Sequence, residues 1–233
     1  MSSFSGASIA DHGLVGRVAL KRGPLVEPPL APGLHHLGIA ETRDALLLVP
    51  DGIDPQRPTA LMVLFHGGGG SAAKILPMME RHALQHRFLL LMPQSVFPTW
   101  DLVIGGNGPD REALEKALGA VADRYAIDHN RLAFAGHSDG GSYALSLGLT
   151  NGDIVSHVIA SSAGFMSVLM QTGAPRVFIS HGTADEQIPI DRSGRAHAKA
   201  LADAGYDVTY KEYDGPHKYD EAIVSRAVEF FLR

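Results

Sequence analysis

From Thr59 onward the chain alternates between short, largely apolar runs and longer stretches of helical texture. The runs are Ala60–Phe65, Phe88–Met92, Arg131–Ala135, Val155–Ala160, Arg176–Ser180 and Val208–Tyr213. Apolar residues fill successive positions in most of them, which predicts strands buried on both faces. The intervening stretches, Ser71–His86, Asp110–Tyr125, Gly141–Leu149, Ser193–Ala204 and Asp220–Leu232, predict helices. Buried strands separated by helices imply a mainly parallel sheet with helices on both faces, an α/β architecture.

Before Thr59 the texture differs. Residues 1–12 read as a disordered or extended arm, and Leu14–Leu20 could form a first strand. Gly23–Pro32 holds four prolines and reads as a loop. Leu34–Ile39 and Arg43–Val49 read as an antiparallel pair turning near residues 40–42 and ending at Pro50-Asp51-Gly52. The expected sheet has about eight strands. No repeat, low-complexity tract or linker interrupts the chain, so residues 1–233 read as one domain.

In an open parallel sheet, ligands bind beyond the carboxyl ends of the strands. Four such ends carry chemistry here. Ala60–Phe65 runs into His66-Gly67-Gly68-Gly69-Gly70, and Arg131–Ala135 into Gly136-His137-Ser138-Asp139-Gly140. Arg176–Ser180 runs into His181-Gly182-Thr183-Ala184-Asp185, and Val208–Tyr213 into Asp214-Gly215-Pro216-His217. The second segment is G-x-S-x-G between a strand and a helix, the pattern of a nucleophile elbow. Five residues alone are a weak signal, and an ordinary turn with Ser138 as a helix cap fits them too.

The partners decide between these readings. A serine hydroxyl needs a base to take its proton, and the base needs an orienting acid. His217, after the last strand, reads as the base and Asp185 as the acid. Asp185 competes with Glu186, one residue off, and with Asp191, which reads as a cap of the following helix. His66 and His181 read as loop-bracing residues. The glycine turn would let backbone N–H groups reach a tetrahedral intermediate, and the oxyanion hole is assigned to the N–H groups of Gly68 and Asp139. A carboxylate beside the nucleophile is unexpected, and the benign expectation is that the Asp139 side chain points away.

These segments, with Glu186-Gln187-Ile188-Pro189 completing the acid loop, resemble the phospholipase/carboxylesterase family of small α/β-hydrolases. The resemblance runs from about Thr59 to the C-terminus. It implies an α/β-hydrolase fold and a serine carboxylesterase, with Ser138, Asp185 and His217 catalytic and an oxyanion N–H at Gly68. The residue after the serine is often Gln or Met in that family and is Asp139 here. The dienelactone-hydrolase and feruloyl-esterase groups are similar as well.

The segment from Ser161 to Gly173 is too short for a large cap domain. Its Phe165, Met166, Val168, Leu169 and Met170 form an apolar, pliable stretch suited to an acyl or aryl group. Gly67, Ile188 and Trp100, the single tryptophan, complete the expected substrate site. Gly105-Gly106-Asn107-Gly108-Pro109 reads as a mobile gate. Short- to medium-chain acyl or aryl esters are the expected substrates, with acyl thioesters or feruloyl-type esters as alternatives. A non-catalytic binding protein on the same fold is the alternative of another class.

Composition narrows the rest. A net charge of -5 and a pI near 6.2 give no footprint for nucleic acid. There is no cysteine, which removes disulfides, thiolate metal sites and cysteine nucleophiles. No metal-binding His/Asp spacing appears, and no cofactor is expected. Gly67-x-Gly69-x-x-Ala72 after a strand suggests a dinucleotide site, but residues 85–95 hold no acid for a ribose. The N-terminus shows no signal peptide and no run is long enough for a membrane span, so a cytoplasmic protein is expected. The expected partner is a small-molecule ester, and a homodimer is left open.

Overall fold

A computed structural model describes residues 16–105, 108–168 and 170–233. Among these residues eight strands form one sheet: β1 Gly33–His36, β2 Leu46–Val49, β3 Thr59–Phe65, β4 Leu89–Met92, β5 Ile127–His137, β6 His157–Ser161, β7 Arg176–Gly182 and β8 Val208–Tyr213. Their spatial order is β1-β2-β4-β3-β5-β6-β7-β8, antiparallel across β1, β2 and β4 and parallel elsewhere. Among the described residues six α-helices accompany it: α1 Ala72–Ile75, α2 Glu80–His86, α3 Pro109–Ala122, α4 Asp139–Thr150, α5 Gly194–Asp203 and α6 Glu221–Leu232.

The strand alternation sorts the core into two layers. Leu61, Val63, Phe65, Leu132 and Phe134 pack against α3, α4 and α5, while Met62, Leu64, Ala133 and Ala135 pack against α1, α2 and α6. Both sets are buried, so the central strands are covered on both faces as their apolar runs require, whereas the edge strand β8 is only half-buried. The connection between β6 and β7 holds no helix among its described residues, and no cap domain sits there.

Three expectations need correcting. Leu14–Leu20 forms no strand over its described part. Instead Val18 N–H donates to Asn151 Oδ1 and Arg17 binds Asp153, which docks this segment on the end of α4. Leu14 and Val15 lie outside the described residues. Ser71–His86 is not one helix. Pro77 lacks the N–H that an α-turn needs, so a 3-10 turn at Leu76–Met78 separates α1 from α2. The β1–β2 connection is also longer than expected. The Asp44 carboxylate accepts the N–H groups of Gly38, Ile39 and Ala40 at 2.8, 2.7 and 3.3 Å, which ends the pairing early.

Burial leaves a titratable signature. His66, His137 and His157 have pKa values lowered to about 4, mainly because their surroundings exclude water. Between about pH 6.5 and 4 the unfolded chain binds protons that these folded histidines refuse, so stability falls as pH falls. Asp110, raised to about 6 by burial, works in the opposite direction but stands against three histidines. Thermal melting should drop by at least about 5 °C between pH 6.5 and pH 4.5, as followed by circular dichroism. A flat or rising midpoint would contradict this.

Candidate active site

Strand β5 ends at His137 and α4 begins at Asp139, so Ser138 alone makes the turn. Its φ of 59° and ψ of −125° are conformations that L-residues rarely adopt. Two glycines let the backbone close this tightly. A Cβ on Gly136 would stand 2.2 Å from the Gly140 carbonyl oxygen, and one on Gly140 would stand 2.1 Å from that of Phe65. The Ser138 N–H donates to the Ser161 carbonyl at 2.9 Å, tying the turn to β6.

The loops after β7 and β8 bring Asp185 and His217 to this turn. His217 Nε2 lies 2.9 Å from Ser138 Oγ, and its Nδ1 lies 2.7 Å from Asp185 Oδ2. The carboxylate partner assigns the proton to Nδ1, leaving the Nε2 lone pair facing the hydroxyl. Asp185 Oδ1 accepts the N–H groups of Gln187 and Ile188 at 3.0 and 2.8 Å. Burial pulls the Asp185 pKa upward, but the Ile188 amide and His217 outweigh it and hold the carboxyl below its ordinary value. Glu186 is exposed, and Asp191 pairs with Arg195 at 2.7 Å instead of capping α5.

Two further imidazoles surround the pair. Fully buried His181 places Nε2 2.9 Å from the Ile188 carbonyl and 3.2 Å from Asp185 Oδ2. It braces the acid loop, as its position suggested. His137, which the sequence reading did not single out, lies with its ring 4.9 Å from that of His217 and its Nδ1 3.2 Å from Ser161 Oγ. With a pKa near 4 it is a neutral wall against the neighbouring imidazole. Its place beside the elbow serine was the available clue.

The glycine loop is braced from below. His66 donates from Nδ1 to the Gly67 carbonyl at 2.8 Å, and its Nε2 accepts from Gln94 Nε2 at 2.8 Å and from Ser95 N–H at 3.2 Å. Arg43, also missed, donates to the carbonyls of Ser95 and Phe97 at 2.7 and 3.2 Å. The N–H groups of Gly69 and Gly70 are occupied by the carbonyls of Pro98 and Gly67. Those of Gly68 and Asp139 have no protein acceptor among the described residues. Gly67 passes within contact of Ser138, with a Cβ position 3.4 Å from that of the serine.

The expected substrate residues divide. Trp100 is no pocket wall: it is fully buried, stacked 4.7 Å from Tyr143 and edge-on to Phe65 at 5.2 Å. Its Nε1 donates to the His66 carbonyl at 2.7 Å, so it anchors the loop from beneath. The stretch carrying Phe165 and Met166 is pinned rather than pliable. Ser142 Oγ accepts the N–H groups of Gly164 and Phe165 at 2.9 and 3.3 Å, and Ser146 Oγ accepts that of Ser167 at 2.9 Å. Phe165 and Met166 are half-buried, Met170 is exposed and Ile188 packs over Gly164. Leu169 lies outside the described residues, as do Gly106 and Asn107 of the expected gate. Beside these two, Gly108 N–H is held by Asp101 Oδ2 at 2.8 Å. Among the described residues no group of three or more His, Cys, Asp or Glu could hold a metal ion. No helix there is long and apolar enough to cross a membrane.

The sheet order, the elbow after β5 and the loops after β7 and β8 define an α/β-hydrolase fold. No protein-family model matches the chain, and no curated protein matches it. Solved structures do. The chain is similar to esterase PE8 at 19% identity and a TM-score of 0.67, over 80% of this chain and 96% of that one. It is similar to S-formylglutathione hydrolase from Staphylococcus aureus at 17% identity and a TM-score of 0.66, over 82% and 92% of the two chains. It is also similar to FphF, a Staphylococcus aureus fluorophosphonate-binding serine hydrolase, at 15% identity and a TM-score of 0.67, over 87% and 100%. At these identities the likeness carries the fold.

The position of Trp100 generates a test. Trp100→Phe keeps most of the packing but removes the hydrogen bond to His66. Melting should fall by about 2–6 °C, the scale of one buried hydrogen bond in a chain of this size. The KM for small esters should stay within about twofold, because the ring touches no substrate. A large rise in KM with unchanged melting would restore Trp100 to the pocket wall.

Proposed function

We propose that the protein is a serine carboxylesterase working through an acyl-enzyme, of the phospholipase/carboxylesterase type. The observation that carries this reading is the unbroken chain Ser138 Oγ, His217, Asp185, with contacts of 2.9 and 2.7 Å at a strained serine. Ser138 Oγ attacks the ester carbonyl carbon while His217 Nε2 takes its proton. The carbonyl oxygen becomes an oxyanion facing the N–H groups of Gly68 and Asp139 and the positive end of α4. Asp185 holds the imidazole in the required tautomer and stabilises it once charged. Protonated His217 then gives its proton to the leaving alkoxide, releasing the alcohol and leaving the acyl group on Ser138. Water, activated by the same Nε2, releases the carboxylic acid and restores the serine.

Phe165, Met166, Met170, Ile188 and the bare backbone of Gly67 are proposed to take the acyl or aryl group. The likeness to solved structures described as an esterase and as serine hydrolases supports this chemistry. A non-catalytic binder would not need a strained serine aligned with both partners.

The test is hydrolysis of p-nitrophenyl esters of graded acyl length. Ser138→Ala and His217→Ala should each lose nearly all activity, at least about a thousandfold. Asp185→Asn should lose about ten-thousandfold. All three should melt within a few degrees of the wild type. Wild-type rates in Ser138→Ala or His217→Ala would overturn the assignment.

A further inference from the structure

Asp139 does not behave as its place at the start of α4 suggests. Its side chain caps no N–H of its own helix. Instead Oδ2 accepts a hydrogen bond from Thr99 Oγ1 at 2.6 Å and leans over the glycine loop. A Cβ built on Gly68 would meet this oxygen at 2.5 Å, so the carboxylate occupies the space that glycine leaves open. Oδ1 has no hydrogen-bond partner among the described residues, and the residue is half-buried. The side chain thus neither caps α4 nor pairs with a base, the two ways in which it was expected to point away, and lies instead against Gly68.

The charge also lacks an ion-pair partner: among the described residues no Lys, Arg or His nitrogen forms an ion pair with Asp139. His66 is the titratable group that feels Asp139, and Arg43 acts on the same imidazole. Arg43 keeps its charge but gives its hydrogen bonds to the carbonyls of Ser95 and Phe97 and not to Asp139, and buried His66 is neutral. The dipole of α4 makes a carboxylate tolerable at its N-terminus but supplies no discrete cation.

An unpaired carboxylate beside the oxyanion N–H groups opposes the negative charge of the transition state. A positive charge on the substrate would reverse that penalty, attracted by the carboxylate throughout and by the oxyanion as it develops. We infer that the protein prefers esters bearing an ammonium-type group within a few ångströms of the scissile carbonyl, recognised by Asp139. The inference rests on Ser138 acting as the nucleophile. The cation could belong to the alcohol or to the acid, and the test separates the two.

Two isosteric pairs are compared by kcat/KM at low salt. One pair is acetylcholine against 3,3-dimethylbutyl acetate, with the charge on the alcohol. The other is the phenyl ester of trimethylammonioacetate against that of 3,3-dimethylbutanoate, with the charge on the acid. The cationic member of at least one pair should be favoured at least tenfold after correction for uncatalysed hydrolysis. Added salt should shrink the preference. Asp139→Asn keeps the acceptor for Thr99 and removes the charge, and should bring the ratio to about one. A role confined to bracing Thr99 would leave the ratio unmoved. The wild-type ratios decide even if the variant does not fold: ratios at or below one in both pairs overturn the inference. If neutral esters are hydrolysed in a Ser138-dependent way without cationic preference, the esterase reading stands and only this inference fails. If no ester is hydrolysed, both fall.

Discussion

The structure depends on a close backbone approach at one point, where the first turn of α4 meets the ends of β3 and β5. Gly140 lies against the carbonyl of Phe65, and Gly136 against the carbonyl of Gly140, with no room for a side chain at either place. The contact directs α4 back across the sheet immediately after β5, and one residue must absorb the reversal. Ser138 does so at positive φ, which lifts its hydroxyl to the sheet rim and aims the free N–H groups of α4 at the same spot. The strain at Ser138 is sustained by the core on either side, where Phe65, Phe134 and Tyr143 pack edge to face.

The groups around the serine are held by commitments made elsewhere. Asp185 has both oxygens occupied, one by backbone amides of its own loop and the other by two imidazoles. The glycine loop is hung from His66, Trp100, Gln94 and Arg43, four side chains that reach it from beneath or behind. These contacts leave little to reorganise when charge develops, which is where an electrostatic site gains most. Asp139 is the exception, a charge placed where an acyl-transfer site would ordinarily avoid one.

Much of this was legible in the sequence because it is local or periodic. Continuous apolar runs marked the doubly covered strands, and the elbow announced itself through glycines whose spacing a tight turn dictates. The order Ser138, Asp185, His217 follows from strands that deliver their loops to one edge. What was not legible depends on where distant side chains meet. Trp100 read as a rim residue until Tyr143 and the His66 carbonyl proved to enclose it. The Phe165 stretch read as pliable because nothing in its composition discloses hydroxyls of Ser142 and Ser146 one helix away. The direction of Asp139 hinges on Thr99, forty positions earlier and on another loop.

The central claim is that Ser138 is an activated nucleophile and not a capping residue in a strained turn. Its most direct test is to treat the intact protein with a fluorophosphonate and locate the adduct by peptide mass spectrometry. The account predicts a single stoichiometric adduct on Ser138, formed by the native protein and not formed when the protein is denatured before treatment. An unmodified Ser138, or an adduct on Ser142, Ser161 or Ser162 instead, would contradict it.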